Sequence, residues 1–214
     1  DKRLLLACGL LAALLFNIIG RKLLGFLFER ALFYDERTTP PFGAMDGFPI
    51  RKIPLKANNI KKALLASGSI PLIMSGVKNI AHAPEGIYRD GGVIDYHMDI
   101  PFMGQEEDGI VLFPHYSERI IPGWLDKKLF WRRPSWSNME NVLILAPSET
   151  FIESLPRKKI PDRNDFWYFK GRDTERKEYW QTVINKSEQL GHEFLDVVET
   201  GNIKVLVKPM VCVK

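Results

Sequence analysis

Cysteine is scarce: Cys8 and Cys212 are the only 2 in 214 residues and lie near opposite ends. That excludes a disulfide framework and the C-x-x-C spacing of a zinc or redox site, and it fits a reducing compartment. Charge of one sign is not in excess either. Thirty Lys+Arg against 26 Asp+Glu leave a formal +4, so the pI near 9.0 reflects a small surplus rather than a strong field. The basic pairs Arg51-Lys52, Lys61-Lys62, Lys127-Lys128, Arg132-Arg133 and Lys158-Lys159 are scattered and interleaved with acids. With no zinc-finger, RNP-like or P-loop pattern beside them, they exclude nucleic acid as the expected partner. Internal repeats and low-complexity tracts are missing as well. Nothing in the chain asks for a cofactor, and the sequence carries no signal of oligomeric state.

What is present is an ordinary globular composition, with 45% hydrophobic and 26% charged residues. A chain of this size can bury a full core, as one domain or as part of a larger one. It opens on an apolar stretch, residues 4–20, followed by Arg21-Lys22 and a second apolar run at residues 23–28. No small-residue cleavage site follows, so the start is not read as a secretory signal. The stretch sits at the lower limit for a membrane span, and Asn17 and two glycines weaken it further. Residues 1–34 are therefore expected to be an apolar helical segment of a larger α/β protein, with lodging in a membrane as the competing reading.

Further along, residues 29–34 are expected to finish a helix, residues 35–46 to form a loop, and residues 48–55 to be extended. Asn59 offers an N-cap to a helix that runs to Gly68. Residues 86–96 read as a strand broken by a Gly-Gly turn. Residues 109–113 and 141–146 are apolar runs of the length expected for strands buried on both faces of a parallel sheet. Between them, residues 122–134 mix aromatic and basic side chains, either as a loop packed inward or as a seat on lipid headgroups. Residues 173–200 read as an amphipathic helix with Trp180, Val183, Ile184, Leu190, Phe194, Leu195 and Val198 on one face, closed by Gly201. Residues 203–208 read as a terminal strand.

The chemistry concentrates in residues 63–96. A helix ending in Ala66-Ser67-Gly68-Ser69-Ile70-Pro71 precedes Tyr88-Arg89-Asp90-Gly91-Gly92. Asp-Gly-Gly alone is also a plain turn signal. The order and spacing of the two segments resemble the C-terminal half of patatin-like phospholipases, most closely over residues 60–100 and onward to Ala146. The resemblance implies an α/β fold, here an incomplete three-layer α/β/α arrangement with a mainly parallel sheet. Residues 60–146 would hold the sheet and the aspartate motif.

It further implies that Asp90 is the acid of a Ser-Asp dyad hydrolysing lipid acyl esters, phospholipids or acylglycerols. Gly91 and Gly92 would keep the turn narrow, and Ser67 and Ser69 would line the substrate side. The departure is equally plain. That family needs a G-x-S-x-G nucleophile elbow, and no serine here has glycines at both offsets. The nucleophile is therefore expected upstream of residue 1, on the reading that these residues are the C-terminal portion of a single domain and are inactive in isolation. The alternative is a noncatalytic lipid- or membrane-binding module of the same fold. The expected partners are a lipid substrate and the surface of an anionic membrane, which puts the protein in the cytoplasm or at the membrane periphery.

Asp95, His97 and Asp99 would share one face if the strand continued, which would put three oxygen and nitrogen ligands together. The favoured reading is instead hydrogen bonding or cleft lining, with no metal. His82, His115 and His192 are isolated in sequence and read as structural.

Overall fold

The computed structural model describes residues 3–38, 40–45, 47–104 and 108–211. Its described residues fall into two compact units, one of residues 3–111 and 120–142, the other of Leu112–Arg119 and Leu143–Val211. Helix and strand are mixed, with two small two-stranded parallel sheets, so the class is broadly α/β. Cys8 is free and exposed, and Cys212 lies outside the described residues.

The first unit begins with α1 (Arg3–Ile19), whose Leu and Ala content favours helix over its whole length. Leu6, Leu10, Ala13, Leu14 and Asn17 recur at helical spacing as its buried or half-buried stripe. Among the described residues no helix is long and apolar enough to cross a membrane. A 3₁₀ segment, Arg21–Phe26, turns the chain into β1 (Arg30–Tyr34), which pairs in parallel with β2 (Ile50–Pro54), Arg30 opposite Ile50 through Tyr34 opposite Pro54. This corrects the expectation of helix at residues 29–34. A parallel partner beginning twenty residues later satisfies the backbone there, and Leu32, Phe33 and Tyr34 suit a half-buried pleated surface.

Helix α2 (Ile60–Ser67) matches the expected span, with Ala63 and Ala66 buried. Asn59 does not cap it through its side chain. The buried amide instead ties loops together, donating to the carbonyls of Pro54 and Ala81 and accepting from Lys56 N–H. Residues 86–96 do not form the expected strand. A single antiparallel bridge, Val77 to Tyr88, is followed by a 3₁₀ turn at Gly91–Val93. Asp90 accepts the Gly92 N–H with its side chain and the Val93 N–H with its carbonyl, so the backbone turns inward and builds no ladder. The core here joins Ala13, Leu24, Phe48, Val93 and Ile94, with Phe28 and Leu125 against it.

The second unit holds most of β3 (Val111–Pro114) and β4 (Val142–Leu145). Neither strand is buried on both faces as expected, because Leu112 and Leu145 are exposed in a ladder of only two strands. The short helices α4 (Glu149–Ser154) and α5 (Asp165–Tyr168) lead into α6 (Asp173–Glu199). Leu155, Phe169, Tyr179 and Val183 form its core, while Ile184, Leu195 and Val198 on the anticipated apolar face are exposed. Gly201 ends the helix in the left-handed region with φ +72°, which suits glycine. The expected terminal strand at residues 203–208 is instead the single helical turn α7 (Ile203–Leu206), since no strand is there to pair with it. A one-turn helix, α3 (Trp136–Met139), belongs to the first unit.

Candidate active site

The structure brings together the two segments that carried the resemblance. α2 ends at Ser67, Gly68 follows as its C-cap, and the carbonyl of Ser69 accepts the backbone N–H of Asp90 at 3.2 Å. Ser69 is fully buried, and its hydroxyl donates back to the Leu65 carbonyl at 2.6 Å. Ser67 is exposed. Of the two serines, Ser69 is thus a backbone anchor for the aspartate turn, whereas Ser67 lies at the surface.

Asp90 is half-buried, and its Oδ1 accepts the Gly92 N–H at 2.8 Å. Among the described residues no donor engages Oδ2. One carboxylate oxygen is oriented by the backbone. The two glycines are not equivalent. A Cβ on Gly92 would sit 3.0 Å from Asp90 Oδ1 and 3.6 Å from Tyr96 Cδ2, whereas one on Gly91 would meet nothing within 4 Å. A methyl at Gly92 would therefore crowd the Asp90 carboxylate, whereas one at Gly91 has room.

Downstream of the turn, Val93 and Ile94 enter the core and Asp95 meets Arg30 in a two-pronged pair, with Nε to Oδ2 and Nη2 to Oδ1 both at 2.7 Å. Arg21 reaches the Ile94 carbonyl and approaches Asp95 at 3.7 Å. Burial pulls the Arg21 guanidinium below its ordinary pKa, against the opposing charges of Asp126 and Asp95. Asp126, fully buried, accepts from Asn17 Nδ2 at 2.7 Å, Gly123 N at 2.9 Å and Arg132 Nε at 3.2 Å, with Arg21 Nη1 at 3.4 Å. This network fixes α1 and residues 122–134 around the aspartate turn. Sequence reasoning missed Arg21, Arg30, Asp95 and Asp126 as its parts. Its one visible sign was Asn17, a lone amide in an apolar helix, because a buried amide requires a polar partner.

The Asp95, His97 and Asp99 side chains turn to separate partners, since no strand carries them. Asp95 takes Arg30, His97 Nδ1 accepts the Ile121 N–H at 3.0 Å, and Asp99 accepts from Ser135 N and Asn138 Nδ2. Burial pushes the Asp99 carboxyl up, against those hydrogen bonds and the charge of Arg21. Among the described residues no group of three His, Cys, Asp or Glu side chains could hold a metal ion. His82 meets Asn58 Nδ2 at 3.1 Å and His115 meets the Ser117 carbonyl. In residues 122–134, Leu129 and Asp126 pack inward, while Phe130 and Trp131 are exposed.

The arrangement offers a half-buried carboxylate with one tethered oxygen on a turn tied by backbone hydrogen bonds. It contains no G-x-S-x-G serine and no Gly-rich oxyanion loop. The chain matches no protein-family model, no curated protein and no solved structure with significance.

Proposed function

We propose that the chain is the aspartate-bearing portion of a patatin-like lipid acyl hydrolase, and that its parallel ladders belong to a three-layer α/β/α sheet. In this reading Asp90 is the acid of a Ser-Asp dyad whose serine lies outside residues 1–214. The observation that carries the reading is the Asp90 carboxylate, with Oδ1 held by the Gly92 N–H on a turn whose backbone hangs from the Ser69 carbonyl.

As the serine oxygen bonds to the ester carbonyl carbon, Asp90 Oδ2 takes the hydroxyl proton. The tetrahedral oxyanion then collapses, breaking the bond to the leaving oxygen, which receives that proton from Asp90. Water attacks the acyl-serine with Asp90 again as base, releasing the fatty acid and restoring the serine proton. No histidine intervenes, so the orientation that a triad assigns to two side chains falls on one. The backbone tether supplies that orientation. Recruitment to lipid is peripheral.

The test is p-nitrophenyl acyl ester hydrolysis by the product of the full open reading frame. Asn keeps an acceptor for the Gly92 N–H and removes the base, so Asp90→Asn is expected to lower turnover on the order of 10³-fold or more with the fold intact. Unchanged turnover would remove Asp90 from the mechanism. A full-length product that binds lipid without any ester turnover would favour the noncatalytic module.

A further inference from the structure

The backbone of Asp90 is tied to Ser69, and the turn that Asp90 opens has a second end. Gly91–Val93 form a single 3₁₀ turn, closed where the Ile94 and Asp95 N–H groups donate to the Gly91 carbonyl at 3.1 and 2.9 Å. A turn this short has few hydrogen bonds of its own to resist fraying. Its geometry therefore depends on what grips its two ends.

At the far end the grip is Arg30. It is buried, it opens β1, and its own N–H donates to the Pro49 carbonyl at 2.7 Å. Its guanidinium lies 4.8 Å from the centre of the Phe48 ring, and Phe48 shares a core with Val93 and Ile94 of the turn. The fork meets both Asp95 carboxylate oxygens at 2.7 Å, which fixes the direction of that side chain as well as its distance. Arg21 stands farther off, 3.7 Å from Asp95 Oδ1, and is shared with the Ile94 carbonyl and Asp126. The turn thus hangs between the Ser69 carbonyl at Asp90 and the Arg30 fork at Asp95. Gly92, whose N–H orients Asp90 Oδ1, lies between the two.

We propose that Arg30 is a positioning residue for Asp90: through Asp95 it holds the turn in the conformation that keeps the Gly92 N–H on the carboxylate. Arg30 acts only through Asp95, so its loss misdirects the carboxylate without removing a group that binds substrate. Such a loss falls on turnover and spares affinity. The catalytic consequence rests on the hydrolase reading, whereas the hold on Gly92 does not.

Two measurements test it. Arg30→Lys keeps the charge and loses the fork, and Asp95→Asn keeps the size and loses the charge. In the product of the full open reading frame each is expected to lower kcat on p-nitrophenyl acyl esters roughly tenfold while KM changes less than about twofold. The double variant should be no worse than the poorer single one, since both remove the same contact. Arg51→Lys, in the exposed pair with Glu29, is the control and should turn over as the wild type does. The second measurement needs no activity. In the 214-residue chain, Arg30→Lys should speed hydrogen exchange at the Gly92 amide roughly tenfold while the amides of α2 keep their protection, which separates a loosened turn from lost folding. Gly92 exchange unchanged from the wild type would overturn the proposal, and so would a raised KM at unchanged kcat. Faster Gly92 exchange in Arg30→Lys, beside a full-length product with no ester turnover, would uphold the hold on the turn and sink the hydrolase reading alone.

Discussion

The backbone of Asp90 hangs from the carbonyl of Ser69, so the residue proposed as catalytic is positioned by the segment just beyond α2 and not only by its own turn. Ser69 is itself pinned by its hydroxyl to Leu65, which makes the end of α2 a fixed post for the aspartate. Because the tether is backbone to backbone, it survives side-chain changes at either residue. What sets the carboxylate's direction is the second contact, from Gly92 N–H.

That division gives opposite outcomes for neighbouring glycines. Gly91→Ala meets nothing within 4 Å and should be neutral or stabilise by up to about 1 kcal/mol, through loss of unfolded-chain entropy. Gly92→Ala places a methyl 3.0 Å from Asp90 Oδ1 and should destabilise by about 1–3 kcal/mol as the carboxylate is pushed from its donor. Urea denaturation of the two variants checks the contrast, and equal midpoints would contradict it.

The buried carboxylate of Asp126 holds Asn17, Arg21, Arg132 and the Gly123 N–H together. Asp126→Ala leaves two part-buried guanidinium groups without their shared anion, so the loss is dominated by stranded charge. The expected destabilisation is about 3–5 kcal/mol, read from urea unfolding. Removing the exposed Arg51 partner of Glu29 should be nearly silent by comparison.

These contacts mark the limit of what was legible. α2 was readable because its helical spacing and the stop at Gly68 act locally, although Asn59 spends its side chain on the Pro54 and Ala81 carbonyls and not on a cap. The start of α6 was readable for the same reason, and β4 from its apolar run. β1 was misread because a strand exists only with its partner, and β2 begins sixteen residues after β1 ends. The turn at residues 203–206 was misread in the opposite sense, its β-branched residues suggesting a ladder that had no partner. Motif order singled out the segments of Ser69 and Asp90 but not the backbone hydrogen bond between them, and the Asn17 to Asp126 bond, which spans 109 positions, left only the odd amide as a clue.

Asp165 in the second unit makes a pH prediction. Burial pushes its carboxyl up, but hydrogen bonds from Lys159, the Asp162 N–H and Trp180, with the charge of Lys159, outweigh burial and hold it below its ordinary value. The unfolded chain therefore binds this proton first as pH falls. The stabilisation is fully present above the unfolded value, near 4, and is lost as pH drops through the lowered folded one. Urea stability of the wild type should fall as pH drops below about 4. Asp165→Asn should be weaker at pH 7 and show a flatter acid dependence. An identical slope in both proteins would remove Asp165 from the acid response.

Residues 1–214 alone should hydrolyse no ester above background. Ser67 is exposed without a glycine-flanked elbow, Ser69 is buried with its hydroxyl spent on the Leu65 carbonyl, and Ser148 caps α4 by accepting the Phe151 N–H. Of these, Ser148 alone stands between a strand and a helix, β4 and α4, and there Ala146 and Thr150 occupy the positions where the elbow has glycines. Loss of one oxyanion donor typically costs ~10²–10³ in turnover, and here both the donors and the serine are missing from the sequence. A carboxylate without a hydroxyl to deprotonate has no acyl-enzyme to form, so on the proposed reading Asp90→Asn should change nothing in residues 1–214. The measurement is p-nitrophenyl ester turnover by the purified chain beside Ser67→Ala and Ser69→Ala. Robust hydrolysis abolished by either substitution would place the nucleophile inside residues 63–96 and replace the dyad proposed here.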